Sequence, residues 1–210
     1  MAEPETIQWA ENLDRIRARQ PVFLQGEPDP PPAVRSVEGW RRGRWATIVP
    51  SRFVHAEIDD TTPPKVKGWA DSPAGRNLVL VGTVGSGKTW LACAAARPRF
   101  MAGDDLAFMP IVELLDALRP GGPDNAMEEA CGVDLLIIDD LGTEKPTEWT
   151  AERLYAVVNR RWMEERPTIV TSNLDPEELE TAVGARMYSR LVGSDAVTVR
   201  LTGPDRRRTR

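Results

Sequence analysis

Cysteine is scarce in this chain: Cys93 and Cys131 are the two among 210 residues. They lie far apart and neither belongs to a C-x-x-C pair, which argues against metal or thiol-redox chemistry. Both read as buried, reduced thiols that behave as small apolar side chains. Long apolar runs are missing too, so no segment is expected to span a membrane. The opening stretch, MAEPETIQWAENLDRIRARQ, is charged and lacks an apolar centre, unlike a signal peptide. Together these absences predict a cytoplasmic protein. There is no excess of positive charge: the formal net charge is −5 and the pI about 5.1. Any nucleic-acid contact must therefore come from a local basic patch. No internal repeat is visible. The length suits one domain with appendages and allows a sizeable core.

Three regions are expected. In residues 1–33, Ile7, Ala10, Leu13 and Ile16 recur three apart and predict a narrow amphipathic helix over 5–19. Glu27-Pro-Asp-Pro-Pro-Pro32 follows as a stiff linker that no helix crosses. The stripe is too small to fold alone, which makes this a candidate partner-binding segment. Residues 34–77 form a lead-in in which GWRRGRWATIVPSRFVHAEIDD mixes arginine and tryptophan before a short strand or turn, followed by a short helix after Thr61-Thr-Pro-Pro64. Here Trp40 and Trp45 flank Arg41, Arg42 and Arg44. That composition fits a platform for single-stranded nucleic acid, but is read first as a solvated turn whose tryptophans pack on the core. The tail Arg206-Arg-Arg-Thr-Arg210 can touch phosphates or simply fray in solvent.

From 78 to 210 strands and helices alternate, which predicts a parallel sheet with helices on both faces. Leu78-Val-Leu-Val81 is a buried strand. The loop after it, Gly82, Thr83, Val84, Gly85, Ser86, Gly87, Lys88 and Thr89, fits G-x-x-x-x-G-K-[ST], and Trp90 follows. This spacing serves a phosphate. Backbone amides turn inward as a nest, and Gly85 and Gly87 allow turns that a Cβ would obstruct. Lys88 can reach the β- and γ-phosphates, the Thr89 hydroxyl can ligate Mg²⁺, and the helix dipole favours an anion at the same place. Further strands are expected at 106–110, 134–140, 166–173 and 196–201, and helices at 87–96, 111–119, 124–131, 150–165 and across 176–190.

Leu135-Leu-Ile-Ile-Asp-Asp140 ends a buried strand in two carboxylates, which would be costly without a cation. Asp139 is then the acid facing Mg²⁺, and Asp140 the one that orients or deprotonates an attacking water. Thr168-Ile-Val-Thr-Ser-Asn173 puts Asn173 at another strand end, where it either reaches that water or caps the next helix. Asp175 suits the cap better.

In this order the stretches NLVLVGTVGSGKTWLA, VDLLIIDDLGTEKPTEW, RPTIVTSNLDPEEL and GARMYSRLVGSDAVTVRLTGPDRR resemble the DnaC/IstB branch of the AAA+ ATPases, over about residues 52–207. The resemblance implies a P-loop AAA+ fold, ATP and Mg²⁺ binding, and self-association through the ATPase interface. It also implies contact with single-stranded DNA and with a hexameric replicative DNA helicase. By the same likeness Asn173 is sensor 1, and Arg190 is the arginine finger that reaches a neighbour's γ-phosphate. Several residues depart from the family's pattern. Val84 stands where relatives often have proline and Trp90 where many have histidine. Asp140 stands where AAA+ proteins in general have glutamate; this branch does use Asp-Asp, and the shorter side chain implies slow turnover. The helical lid is expected to be absent, leaving Arg207 as the residue available to replace sensor 2. The amino-terminal region shows no zinc ligands, so helicase contact is not carried over by motif. Rival readings are an IstB-like transposition helper, a small-molecule kinase, and an adaptor that binds ATP without hydrolysing it.

Overall fold

The computed structural model describes residues 37–71, 76–193 and 195–202. The expected helix 5–19, the proline linker, and the basic tail with Arg207 lie outside them.

Five strands make one sheet: β1 (Leu78–Gly82), β2 (Leu106–Pro110), β3 (Leu135–Leu141), β4 (Thr168–Ser172) and β5 (Val197–Leu201). Their order is β2-β3-β4-β1-β5, and every pair is parallel. Runs such as Leu78-Val-Leu-Val and Leu135-Leu-Ile-Ile are buried on both sides, because helices cover both faces. One layer holds α1 (Val37–Ile48), α2 (Pro64–Asp71) and α3 (Lys88–Ala102), packed on Leu78, Leu80, Ile137 and Ile169. The other holds α4 (Ile111–Ala117), α5 (Ala126–Gly132), α6 (Glu148–Met163), α7 (Pro176–Val183) and α8 (Ala185–Leu191), packed on Val79, Val81, Ile138 and Val170. The strand order brings the ends of β1, β4 and β3 side by side at the carboxyl edge, where open α/β sheets bind ligands.

Two expectations are corrected. The Arg/Trp patch is helical (α1) and not a solvated turn, while the turn expected after it is a short 3-10 turn at Ser51–Phe53. Trp45 is 1% exposed, lies against Phe100 with ring centres 5.6 Å apart, and donates from Nε1 to Val54 O at 3.0 Å. Arg41 is also buried and donates to Phe100 O. Tertiary burial thus makes a helix of a segment whose own pattern is weak. The second correction concerns α3, which runs through Pro98 to Ala102 instead of ending at Ala96. Pro98 is exposed, while the next turn anchors Phe100 in the core and closes on Gly103, whose N–H donates to Arg99 O and Phe100 O.

Candidate functional site

β1 feeds directly into the glycine loop. Gly87 has φ 96°, the left-handed region that glycine enters without strain, and α3 starts at the next residue. At Gly82 a Cβ would stand 2.2 Å from the backbone oxygen of Leu201, so close packing of β1 on β5 requires glycine there. Val84 stands out at the crest, 60% exposed. Ser86 is buried and its Oγ has no hydrogen-bond partner. Such an unmet hydroxyl inside the glycine loop is what a phosphate oxygen satisfies. Trp90, on the first turn of α3, is half-buried against the core layer of that helix.

Lys88 is buried, with Nζ donating to Gly82 O at 2.8 Å, Thr83 O at 3.0 Å and Asn173 Oδ1 at 2.7 Å. Asn173 donates in turn from Nδ2 to Asp140 Oδ1 at 3.3 Å. Asn173 is free to do so because Asp175 caps α7, its side chain accepting from the Glu177 and Glu178 amides. Thr89 Oγ1 donates to Asp139 Oδ1 at 2.9 Å. Asp139 is buried, and burial pushes its pKa up; the hydroxyls of Thr171 and Thr89 oppose this, Asp140 adds to it and Lys88 opposes it. A buried carboxylate held this way favours a nearby cation.

Among the described residues no group of three or more His, Cys, Asp or Glu side chains could hold a metal. The adjacent Thr89 hydroxyl and Asp139 carboxylate nevertheless fit Mg²⁺, which takes few protein ligands and shares phosphate oxygens.

The structure brings together Lys88, Thr89, Asp139, Asp140 and Asn173. Arg190 is held elsewhere, on α8. It donates to Asn159 Oδ1 at 2.7 Å and to Arg186 O at 2.9 Å, with its guanidinium carbon 5.0 Å from the Tyr155 ring centre and 5.3 Å from that of Trp162. Trp45 is too buried to stack a base. Arg42 and Arg97 line a cavity of about 370 Å³ with His55, but each is already paired, with Glu38 and Glu57. Sequence reasoning missed Thr171, one of three hydroxyl residues in β4, with no local signal of a role.

A family model described as IstB-like ATP binding protein matches residues 67–193, more than half of the chain. The chain belongs to the IstB-like ATP binding protein family. The replicative helicase loader DnaI of Bacillus subtilis (strain 168) is 26% identical to this IstB-like protein over 159 residues, covering 68% of this chain and 51% of DnaI. An ATP-binding protein of an insertion sequence in Mycobacterium tuberculosis is 31% identical over 134 residues, 57% of this chain and 53% of that one. The crystal structure of the DnaC helicase loader has the same fold, with TM-score 0.64 at 21% identity over 73% of this chain and 100% of that chain. The fold is thus that of P-loop AAA+ domains, and the IstB-like domain is an ATP-binding one. The chain spans about half the length of the curated relatives it matches. Among the described residues no helix is long and apolar enough to cross a membrane.

Proposed function

We propose that this IstB-like protein hydrolyses ATP with Mg²⁺ and delivers a hexameric replicative DNA helicase to single-stranded DNA. The observation that carries the ATPase reading is the chain of contacts Lys88–Asn173–Asp140 beside Thr89–Asp139, at one edge of the sheet. Lys88 and the loop amides bind the phosphates. Thr89 and Asp139 would hold Mg²⁺, which when bound offsets phosphate charge. Asp140 orients or deprotonates the attacking water, with Asn173 fixing its carboxylate. Arg190 serves a neighbouring copy's site, which makes turnover depend on assembly. The short side chain of Asp140 makes that turnover slow. The loader role is supported by the similarity to DnaI over 68% of this chain.

A second reading, a helper ATPase for a transposase, is favoured by the IstB-like family model and by the 31% identity to the insertion-sequence protein. Affinity capture on the full chain, offered purified replicative helicase and a transposase of the same host, separates the two. Helicase retention is expected; retention of the transposase alone overturns the loader role. The segment 1–33 is the proposed docking arm, so a chain lacking it should keep ATP binding and lose the helicase. A truncated chain that still captures helicase puts the contact on the ATPase core.

A further inference from the structure

Successive residues of a strand face opposite sides of the sheet, so two adjacent acids on β3 should diverge. Here they do not. Ile138 pairs with Val170 and Leu141 with Ser172, so Asp139 and Asp140 together stand opposite the single Thr171 of β4. That two-against-one pairing is a β-bulge. Its effect shows in the core: Ile138 and Leu141 pack in the same layer, although an unbroken strand would send them to opposite ones. Asp140 has φ 59°, left-handed and uncommon for a residue with a side chain. By this turn both carboxylates reach the side of the sheet that carries the glycine loop.

A bulge leaves an amide without a ladder partner. Thr171 supplies it. The Asp140 N–H donates to Thr171 Oγ1 at 2.9 Å, and the same hydroxyl donates to Asp139 Oδ1 at 2.6 Å. A hydroxyl has one proton, and a donor on its lone pair leaves that proton for the carboxylate. Thr171 is 0% exposed, so bulk water does not compete. Its neighbour Ser172 ties the far side of the bulge, donating to Leu141 O at 2.7 Å.

We propose that Thr171 is a positioning residue of the nucleotide site: its hydroxyl locks the bulge and so sets the Asp139 carboxylate against Thr89 and the backbone from which Asp140 projects. The role rests on the ATPase reading above. A residue that orients a ligand from behind is worth about ten- to a hundredfold in metal affinity or activity.

The test compares full-length wild type, Thr171→Val, which keeps the shape and loses the hydroxyl, and Thr171→Ser, which restores it. Two readouts are taken: amide hydrogen exchange at Asp140, and the Mg²⁺ concentration needed for a fluorescent ATP analogue to bind. In the valine variant the amide should exchange at least about tenfold faster and the Mg²⁺ demand should rise about ten- to a hundredfold. Binding in EDTA, which reports the glycine loop alone, should be unchanged. Serine should return both readouts to near wild type. Should the valine variant unfold, Thr171→Cys against Thr171→Ser carries the same comparison, with the cysteine expected to be impaired. A valine or cysteine variant that matches wild type, or a serine variant as impaired as they are, overturns the role. Wild type that binds no nucleotide would sink the ATPase reading and this role with it, whereas normal wild-type binding with an unchanged valine variant sinks Thr171 alone.

Discussion

The ammonium of Lys88 donates to Asn173 Oδ1 across 2.7 Å, joining the loop after β1 to the end of β4. Both residues are tied further, Lys88 to the carbonyls of Gly82 and Thr83 and Asn173 to Asp140. Charge-assisted bonds of this kind are the strong ones. Lys88→Ala removes the cation that meets phosphate and releases Asn173. ATP affinity should fall by roughly a hundredfold, about 3 kcal/mol, with the far-ultraviolet circular dichroism unchanged. Unaltered affinity in a calorimetric titration would remove the phosphate-binding role of the loop.

Asp140→Asn keeps the volume, and the amide oxygen can still accept from Asn173. The charge that would take a proton from water is gone. Nucleotide binding should persist while single-turnover hydrolysis drops by about a hundredfold or more. Turnover at the wild-type rate would mean that Asp140 is not the catalytic carboxylate.

Arg190 of α8 is clamped against α6 by Asn159, Tyr155 and Trp162. Arg190→Ala should leave nucleotide binding of dilute protein untouched. The rise in ATPase rate with protein concentration or added single-stranded DNA should disappear, since an arginine finger is worth about a thousandfold or more. If dilute protein loses ATP affinity instead, Arg190 acts within its own chain.

Arg161 is 1% exposed and its guanidinium spans the start of the sheet. It donates to the carbonyls of Ala130, Cys131 and Val133 at the end of α5, to Pro167 O, and to Thr168 Oγ1. Burial pulls its pKa down to about 10, so it remains charged at neutral pH. Arg161→Met strips those carbonyls of their donor in a dry site, and stability should drop by about 3–5 kcal/mol. Urea unfolding checks this; a loss below about 1 kcal/mol would mean the carbonyls find other partners.

Glu129 on α5 has one carboxylate oxygen, Oε2, buried without a partner, while Asn125 donates to the other. Burial pushes its pKa up from 4.5 to about 7, against the Asn125 bond. The folded chain therefore holds this proton more tightly than the unfolded one. The group's contribution to stability is full below about pH 4.5, declines as pH rises to about 7, and is gone above. Glu129→Gln should raise the melting temperature at pH 8 more than at pH 5. Equal shifts at both values would place the carboxylate in solvent.

The glycine loop, its strand and the alternating elements were legible because their signals are local. Spacing alone aligns Gly82 to Thr89, and apolar runs mark strands buried on both faces. The strand over 106–110 was expected and observed at the same residues. Asp175, two residues past Asn173, could likewise be weighed as the cap of α7 from neighbouring positions.

What only the tertiary structure decided depends on residues distant in the chain. Whether Arg41 and Trp45 face solvent or core turns on Phe100, 59 positions from Arg41, so α1 could not be read from its own pattern. Arg161 looks like any surface arginine of a helix; its partners are carbonyls some 30 residues away, and carbonyls leave no mark in a sequence. The bulge follows the same logic. Period-two alternation cannot announce an extra residue, and the hydroxyl that satisfies the Asp140 amide is 31 positions further on. The sequence by itself determined which residues could bind phosphate, because backbone geometry there follows from near neighbours. How the two acids come to share one side of the sheet was decided by folding, since an unpaired amide acquires its partner only when β4 arrives beside β3.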